Sequence, residues 1–299
     1  MSENHLAQAP GFYRRAVGDI LVTSLNDGML AESVAVLQGI DGDAAAALLV
    51  EAFLPPAPVI SVNAFLLQTP QSCILVDAGC GNGMGPGGGR LAANLQAAGV
   101  APADIDIVLL THMHPDHVGG LLAPDGQPAF PRARIGVPQA DAAVFLDASI
   151  AASAPEPARP VFAMARAVAA AYGDRFAPFS GQPELIPGVT AVAMPGHSPG
   201  HTGYRVASRG DSMLIWGDIV HVPAIQAPRP QVGMIFDADP ALAERNRRDA
   251  MAAAAQSREL IAGMHLPFPG FAYVSTAGSG FALVPILWSP TAMPFGAGA

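Results

Sequence analysis

Short apolar blocks broken by Gly- and Pro-rich turns dominate the chain, which is the pattern of buried strands with helices between them. Strands are predicted at Ile20 to Ser24, Val59 to Gln68, Cys73 to Asp77, Ile105 to Thr111, Ala133 to Val137, Val189 to Met194, Gly203 to Ala207 and Met213 to Trp216. The turn Ser208-Arg209-Gly210-Asp211 joins the last two as a hairpin. Helical spacing fits Arg90 to Ala98, Ala140 to Ala148, Pro160 to Tyr172 and Pro240 to Leu260, the last with Asp239 as N-cap and Pro240 at the first helical position. Strands and helices interleave, so α/β layering is expected, and no internal repeat is evident.

One of these strands ends in a dense set of metal-ligand types. Residues 111–120 read Thr-His-Met-His-Pro-Asp-His-Val-Gly-Gly. His112 and His114, two apart on extended backbone, turn the same way and suit one divalent ion. Asp116 and His117 follow the Pro115 turn and suit a second; Gly119 and Gly120 allow close packing as a helix begins. A solvated His-rich loop is the bland alternative, but eight His in 299 residues would rarely gather so. A metal site needs more ligands, and three other strand ends offer them. These are His197 and His201 in Met-Pro-Gly-His-Ser-Pro-Gly-His-Thr, Asp218 after the strand-like run from Ser212, and His265 after an apolar stretch from Leu260.

Composition narrows the class. A net charge of −9 and pI near 5.2 leave no basic field for a nucleic acid. Cys73 lies within a strand-like run that carries Cys80 too far away for a disulfide, so both are read as free thiols. No export signal is expected from the polar start of the chain, Arg166 interrupts the Ala-rich Phe162 to Tyr172, and Phe281 to Trp288 is too short to span a bilayer. A cytoplasmic enzyme without membrane contact is expected. The Gly-rich Asn82 to Gly89 lacks a P-loop ending and is expected at a pocket rim.

The order of these elements resembles the metallo-β-lactamase superfamily, with its His-x-His-x-Asp-His run, its Gly-His-[Ser/Thr]-Pro-Gly-His-Thr turn, its Gly-Asp and its final His. The resemblance implies a four-layer αβ/βα sandwich, expected as one domain over 1–299 with an N-terminal arm at 1–18. It places His112, His114 and His197 on one metal, Asp116, His117 and His265 on the other, and Asp218 as the bridge. A bridging carboxylate and hydroxide offset the repulsion of two cations. His201 is read as a hydrogen-bonding prop rather than a ligand. Zinc is expected, although manganese, iron or cobalt suit the same ligands. The implied mechanism is attack by the bridging hydroxide on a C=O or P=O group, with Asp116 and Asp218 as the catalytic carboxylates and no Ser or Cys nucleophile.

Further segments, among them Ala9 to Arg14, Asn26-Asp27-Gly28, Ser61-Val62-Asn63, Leu91 to Leu95 and Phe179-Ser180-Gly181, are similar to the methyl parathion hydrolase group. That likeness implies a homodimer and a small-molecule phosphotriester, aryl ester or lactone substrate. His221 stands where quorum-quenching lactonases carry Tyr, which favours this group; a satisfied buried imidazole is the competing reading. Met84, Phe145 and Phe162 are candidates for the pocket wall, core packing explaining them equally well. With so few rings, stacking on an aryl group is weaker than in that group, which moves the expectation toward esters and lactones. Acyl-homoserine lactone hydrolysis is the alternative activity, and a metal-binding module without turnover the alternative class. Glyoxalase II, class B β-lactamases, flavodiiron proteins and the superfamily nucleases fit less well, respectively for want of a basic C-terminal cluster, by possession of Asp218, by His114 in place of a carboxylate, and by charge. The apolar Pro285 to Trp288 and the N-terminal arm could serve a dimer interface or simply cover the core.

Overall fold

A computed structural model describes residues 8–292. The first seven-stranded sheet is built from β1 (Phe12–Val17), β2 (Ile20–Ala31), β4 (Val59–Gln68), β5 (Cys73–Val76), β6 (Ile107–Leu109), β7 (Arg134–Pro138) and β8 (Phe176–Phe179), adjacent in that order. The second contains β9 (Glu184–Ile186), β10 (Val189–Ala193), β11 (Thr202–Ser208), β12 (Asp211–Ile215), β14 (Leu260–Ala262), β15 (Phe271–Ala277) and β16 (Gly280–Pro285), in the order β16-β15-β14-β12-β11-β10-β9. A two-stranded ribbon pairs β3 (Leu37–Gln38) with β13 (Gly233–Met234).

The sheets face each other across an apolar layer in which Val22, Phe65, Leu67 and Val76 of the first meet Tyr204, Val206, Met213 and Ile215 of the second. Helices cover the outer faces. The helices α2 (Leu91–Ala97), α3 (Pro115–Val118), α4 (Gln139–Phe145), α5 (Ala148–Ser153) and α6 (Arg159–Tyr172) lie on the first sheet's side, where Leu91, Leu95, Ala142, Ala165 and Val168 pack on Leu66, Leu75 and Ile135. Met251 and Ala254 of α8 (Pro240–Ser257) pack on Leu214, Ile261 and Val274 of the second. A smaller core joins α1 (Gly42–Glu51) to α7 (Pro223–Gln226) near the ribbon. The result is the expected α/β sandwich of helix, sheet, sheet and helix layers, in which each sheet buries both faces.

The structure corrects several sequence-based boundaries. Residues 12–17 are not an arm: they form edge strand β1, paired residue for residue with β2 from Phe12↔Leu25 to Val17↔Ile20. Residues 1–7 of that arm lie outside the described residues. β2 runs to Ala31 rather than Ser24 because a bulge between Asn26 and Gly28 lets it go on pairing with β4. The helix expected over 140–148 stops at Phe145, because Asp147 caps a new helix, its carboxylate accepting from the Ser149 and Ile150 N–H groups. Likewise α8 stops at Ser257 with Arg258 in the left-handed region, so Leu260 belongs to β14. The strand expected at 105–111 is regular only over Ile107–Leu109, although Asp106 N–H still donates to Cys73 O and Leu110 N–H to Gly136 O. The hairpin is as expected, with Arg209 and Gly210 at positive φ between β11 and β12. Both cysteines are free.

Candidate metal centre

β5, β6, β7 and β8 are mutually parallel, as are β12 and β14, so both sheets bring strand C-termini to one edge. The chain leaves β6 through Thr111 into His112 and His114, and then makes the single helical turn α3, which begins at Pro115 rather than at the glycines. Gly119 and Gly120 instead form the 3-10 turn after it, where a Cβ would strike the Cys80 and Ala78 carbonyls. From the second sheet come His197 after β10, Asp218 after β12 and His265 after β14. Two backbone hydrogen bonds tie the sheets together here: Thr202 N–H donates to Thr111 O at 2.9 Å and Asn63 N–H to Met264 O at 2.8 Å.

All seven sequence-derived ligand candidates converge. His112 Nε2 and His197 Nε2 each lie 2.9 Å from His114 Nδ1. Asp116 Oδ2 lies 3.4 Å from both His117 Nε2 and His265 Nε2. Asp218 stands between the two sets: its Oδ2 is 3.6 Å from His112, 3.3 Å from His117, 3.3 Å from His197 and 3.0 Å from His265. Donors about 2.1 Å from a tetrahedral cation are separated by about 3.4 Å, so each set has the span of one ion's ligands. Of the buried side-chain atoms without a hydrogen-bond partner, three lie in this cluster: His221 Nδ1 and the pair Asp218 Oδ1 and His117 Nε2. Buried polar atoms are nearly always paired, so the latter two fit a cation between them. The His and Asp clusters are compatible with a dinuclear metal site.

The surroundings aim the lone pairs inward. His117 Nδ1 meets Asp77 Oδ2 at 2.6 Å, His197 Nδ1 meets Asp237 Oδ1 at 2.8 Å, and His265 Nδ1 meets Ser61 O at 2.8 Å. Thr111 Oγ donates to Asp77 and lies 3.1 Å from His112 Nδ1. In each case a donated Nδ1–H leaves the Nε2 lone pair free for a cation. His201 is a prop: it accepts the Asp218 N–H on Nε2 at 2.8 Å and meets Met194 O through Nδ1 at 2.9 Å, so neither nitrogen is left for a metal.

Electrostatics follow from burial and charge. Burial, with His197 beside it, pushes His114 down to about 3, which keeps its ring unprotonated and able to bind a cation. Burial also holds His201 and His221 at about 4. For His197 burial acts in the same sense, but Asp218 and Asp237 outweigh it and raise the imidazole to about 9. Burial opposes ionisation of Asp218 as well, yet His117 and His265 hold it well below the carboxylate range.

Three buried carboxylates were not singled out from the sequence. Asp77 ends β5 with φ of 59°, held in this sparsely populated region by Thr111 N–H and Oγ. Asp141 of α4 accepts from Met113 N–H, Ser198 Oγ and Gly200 N–H, joining the first-sheet loop to the His197 turn. Asp237 orients His197 and is itself faced by buried Arg247 at 3.5 Å. Asp77 carries a readable signal, a carboxylate closing an apolar strand just before Ala-Gly; Asp237 in Phe-Asp-Ala-Asp carries none.

A cavity of about 710 Å³ opens over the cluster, and His114, Asp116, His197, Asp218 and His265 line its floor. His221, Met84, Phe145 and Phe162 all reach it. Phe145 does both things weighed for it, packing into the core while its ring meets His114 edge-on at 5.7 Å and Phe162 at 5.5 Å. His221 is buried, stacks on His265 at 4.8 Å, and brings Nε2 to 3.1 Å from Asp218 Oδ2. Met84 brings the Gly-rich loop to the cavity, and that loop is anchored by Asp27, whose carboxylate accepts the Cys80, Gly89 and Leu91 N–H groups.

This fold and this convergence of His and Asp on one sheet edge define a metallo-hydrolase architecture. The sequence pattern of the Metallo-beta-lactamase superfamily matches residues 57–265, and the chain belongs to that superfamily. Among solved structures it is similar to a hydrolase named AbOPH of the beta lactamase superfamily, at 32% identity and TM-score 0.89, over 95% of this chain and 100% of that one. It also shares its fold with AidC, a dizinc quorum-quenching lactonase solved with the product N-hexnoyl-L-homoserine, at 24% identity and TM-score 0.88, over 93% and 98% of the two chains. A more distant likeness is to an N-acyl homoserine lactone hydrolase, at 20% identity and TM-score 0.58, over 86% and 99%. Superfamily and neighbours support an enzyme. Among the described residues, no helix is long and apolar enough to cross a membrane.

Proposed function

We propose that the chain is a dinuclear metal-dependent hydrolase of neutral esters, lactones or phosphotriesters, related to the methyl parathion hydrolase group. The observation that carries this reading is the pair of three-donor sets, His112/His114/His197 and Asp116/His117/His265, on either side of Asp218. Two divalent cations held there, zinc by preference of the N and O donors, would supply a water of lowered pKa and a positive charge to polarise the substrate's C=O or P=O oxygen. Asp116 is the carboxylate placed to take up a proton, since its side chain is 14% exposed at the cavity floor against 2% for Asp218. Asp218 holds the two donor sets together. His221 Nε2 is placed to donate to a substrate oxygen beside Asp218, while Phe145, Phe162 and Met84 exclude water from the reacting group.

Acyl-homoserine lactone hydrolysis is the second reading, favoured by the apolar wall of Pro155, Pro157, Val161, Ile235 and Phe236, which suits an acyl chain. A homodimer with a cytoplasmic location completes the proposal; exposed Leu287 and Trp288 support the former, and a single monomeric mass by light scattering would remove it.

The deciding experiment loads the purified protein with zinc, manganese or cobalt, measures metal per chain, and assays an aryl ester, a γ-lactone, an acyl-homoserine lactone and a methyl phosphotriester. Two cations per chain with metal-dependent turnover of any of the four is the expected result, and the best substrate chooses between the readings. Two cations without turnover of any would overturn the hydrolase assignment in favour of a metal-binding module.

A further inference from the structure

One charged group in the cavity is used by nothing described so far. Glu32 follows the end of β2, its N–H donating to Pro58 O at 2.9 Å, and the residue lines the cavity with Leu30, Ile60, Ile235 and Phe236. The side chain caps no helix, because Ser33 performs that task for the following 3-10 turn. It joins none of the convergent His and Asp groups that could hold a cation, and no Lys or Arg lines the cavity among the described residues. Asp116 and Asp218 on the floor would be neutralised by bound cations, which leaves Glu32 as the uncompensated charge of the wall.

A half-buried carboxylate in an apolar wall, without ion-pair or hydrogen-bond partner, is costly unless the occupant of the cavity supplies one. We propose that Glu32 is a specificity residue that binds a primary ammonium group on the substrate, so that esters or lactones carrying a basic amine are preferred and those carrying a carboxylate are rejected. This inference rests on the hydrolase reading of the site and names its substrate class. Burial and the facing Asp116 raise the Glu32 carboxyl above its usual value, as expected of a carboxylate lacking a cation. A substrate ammonium would offset both effects through a charge-assisted hydrogen bond.

The test uses the metal-loaded full chain and three aryl esters of equal acyl length, ending in an ammonium, a methyl or a carboxylate group. We expect kcat/KM to fall in that order, with the ammonium ester about tenfold above the carboxylate ester and the difference residing in KM. Glu32→Gln should bring the spread below about threefold, and Glu32→Lys should invert it. Equal spreads in the wild type and Glu32→Gln, or a wild-type preference for the carboxylate ester, would overturn the proposal. A second arm needs no turnover: a phenylalkylammonium ion and its carboxylate analogue are titrated calorimetrically into the metal-free protein, where no metal ion attracts the carboxylate and the floor imidazoles are common to the wild type and Glu32→Gln. Tighter ammonium binding that Glu32→Gln abolishes would uphold the Glu32 site even if all three esters resist hydrolysis, in which case the hydrolase reading alone fails. Ammonium binding that is undetectable, or equal in both proteins, sinks the Glu32 site.

Discussion

Each imidazole around Asp218 is only as good a ligand as the group behind it. Asp237 is the clearest case, since it orients the His197 ring and, together with Asp218, raises it to about 9, and is itself pulled down to about 2, with His197 overcoming the opposing effect of burial. Asp237→Asn should weaken cation affinity by about 10- to 100-fold with the fold intact, measured by chelator competition. The raised His197 also sets a sign for proton linkage. At pH 7.5 the metal-free ring carries a proton that a ligand Nε2 cannot keep, so cation binding must release it, and affinity should rise with pH until about 9. Calorimetry in buffers of different ionisation enthalpy would show this release; cation uptake without it would mean that His197 is not a ligand. The residues that converge as candidate ligands were legible in the sequence because ligand chemistry demands His and Asp at tight spacing. Those behind them were not, because Asp77, Asp141 and Asp237 act through partners 40, 28 or 57, and 40 residues away, as in the pairs with His117, with Met113 and Ser198, and with His197.

Elements matter here through where they stop. Gly217 links β12 to Asp218 at φ of 59°, and a Cβ at this position would run into the His201 ring and meet Thr111 Cβ at 3.3 Å. Gly217→Ala is expected to push His201 off the Asp218 N–H and lower kcat by about tenfold or more, with far-ultraviolet dichroism unchanged. Unaltered kcat would show that His201 does not set the Asp218 loop. Among the described residues, periodicity located eight of sixteen strands and four of eight α-helices, and in most cases not their ends. β1 was missed because Phe-Tyr-Arg-Arg-Ala-Val is half polar, as an edge strand can be when only one neighbour pairs with it. The break between α4 and α5 was missed because Asp147 reads as an ordinary polar helix residue until its carboxylate is seen to cap the next turn.

The two sheets meet as a molecule at the donor cluster, since His112 to His117 hang from the first and His197, Asp218 and His265 from the second. Bound cations therefore join the halves of the sandwich and should stabilise the whole. At a free cation concentration about a hundredfold above Kd the gain is about 2.7 kcal/mol, so chelation should lower Tm by about 5–10 °C. A Tm indifferent to chelator would show that the donors do not share a cation across the sheets. The sequence alone determined the layered α/β class, the superfamily and which His and Asp residues converge as candidate ligands, because strand periodicity and coordination chemistry are local and constrain residue type at short range. Only the tertiary structure decided which carboxylates stand behind the imidazoles, that Phe145 serves core and cavity together, and that Glu32 faces the floor from an apolar wall. Those relations join residues far apart in the chain, and burial and distance, which give a carboxylate its role, exist only once the chain has folded.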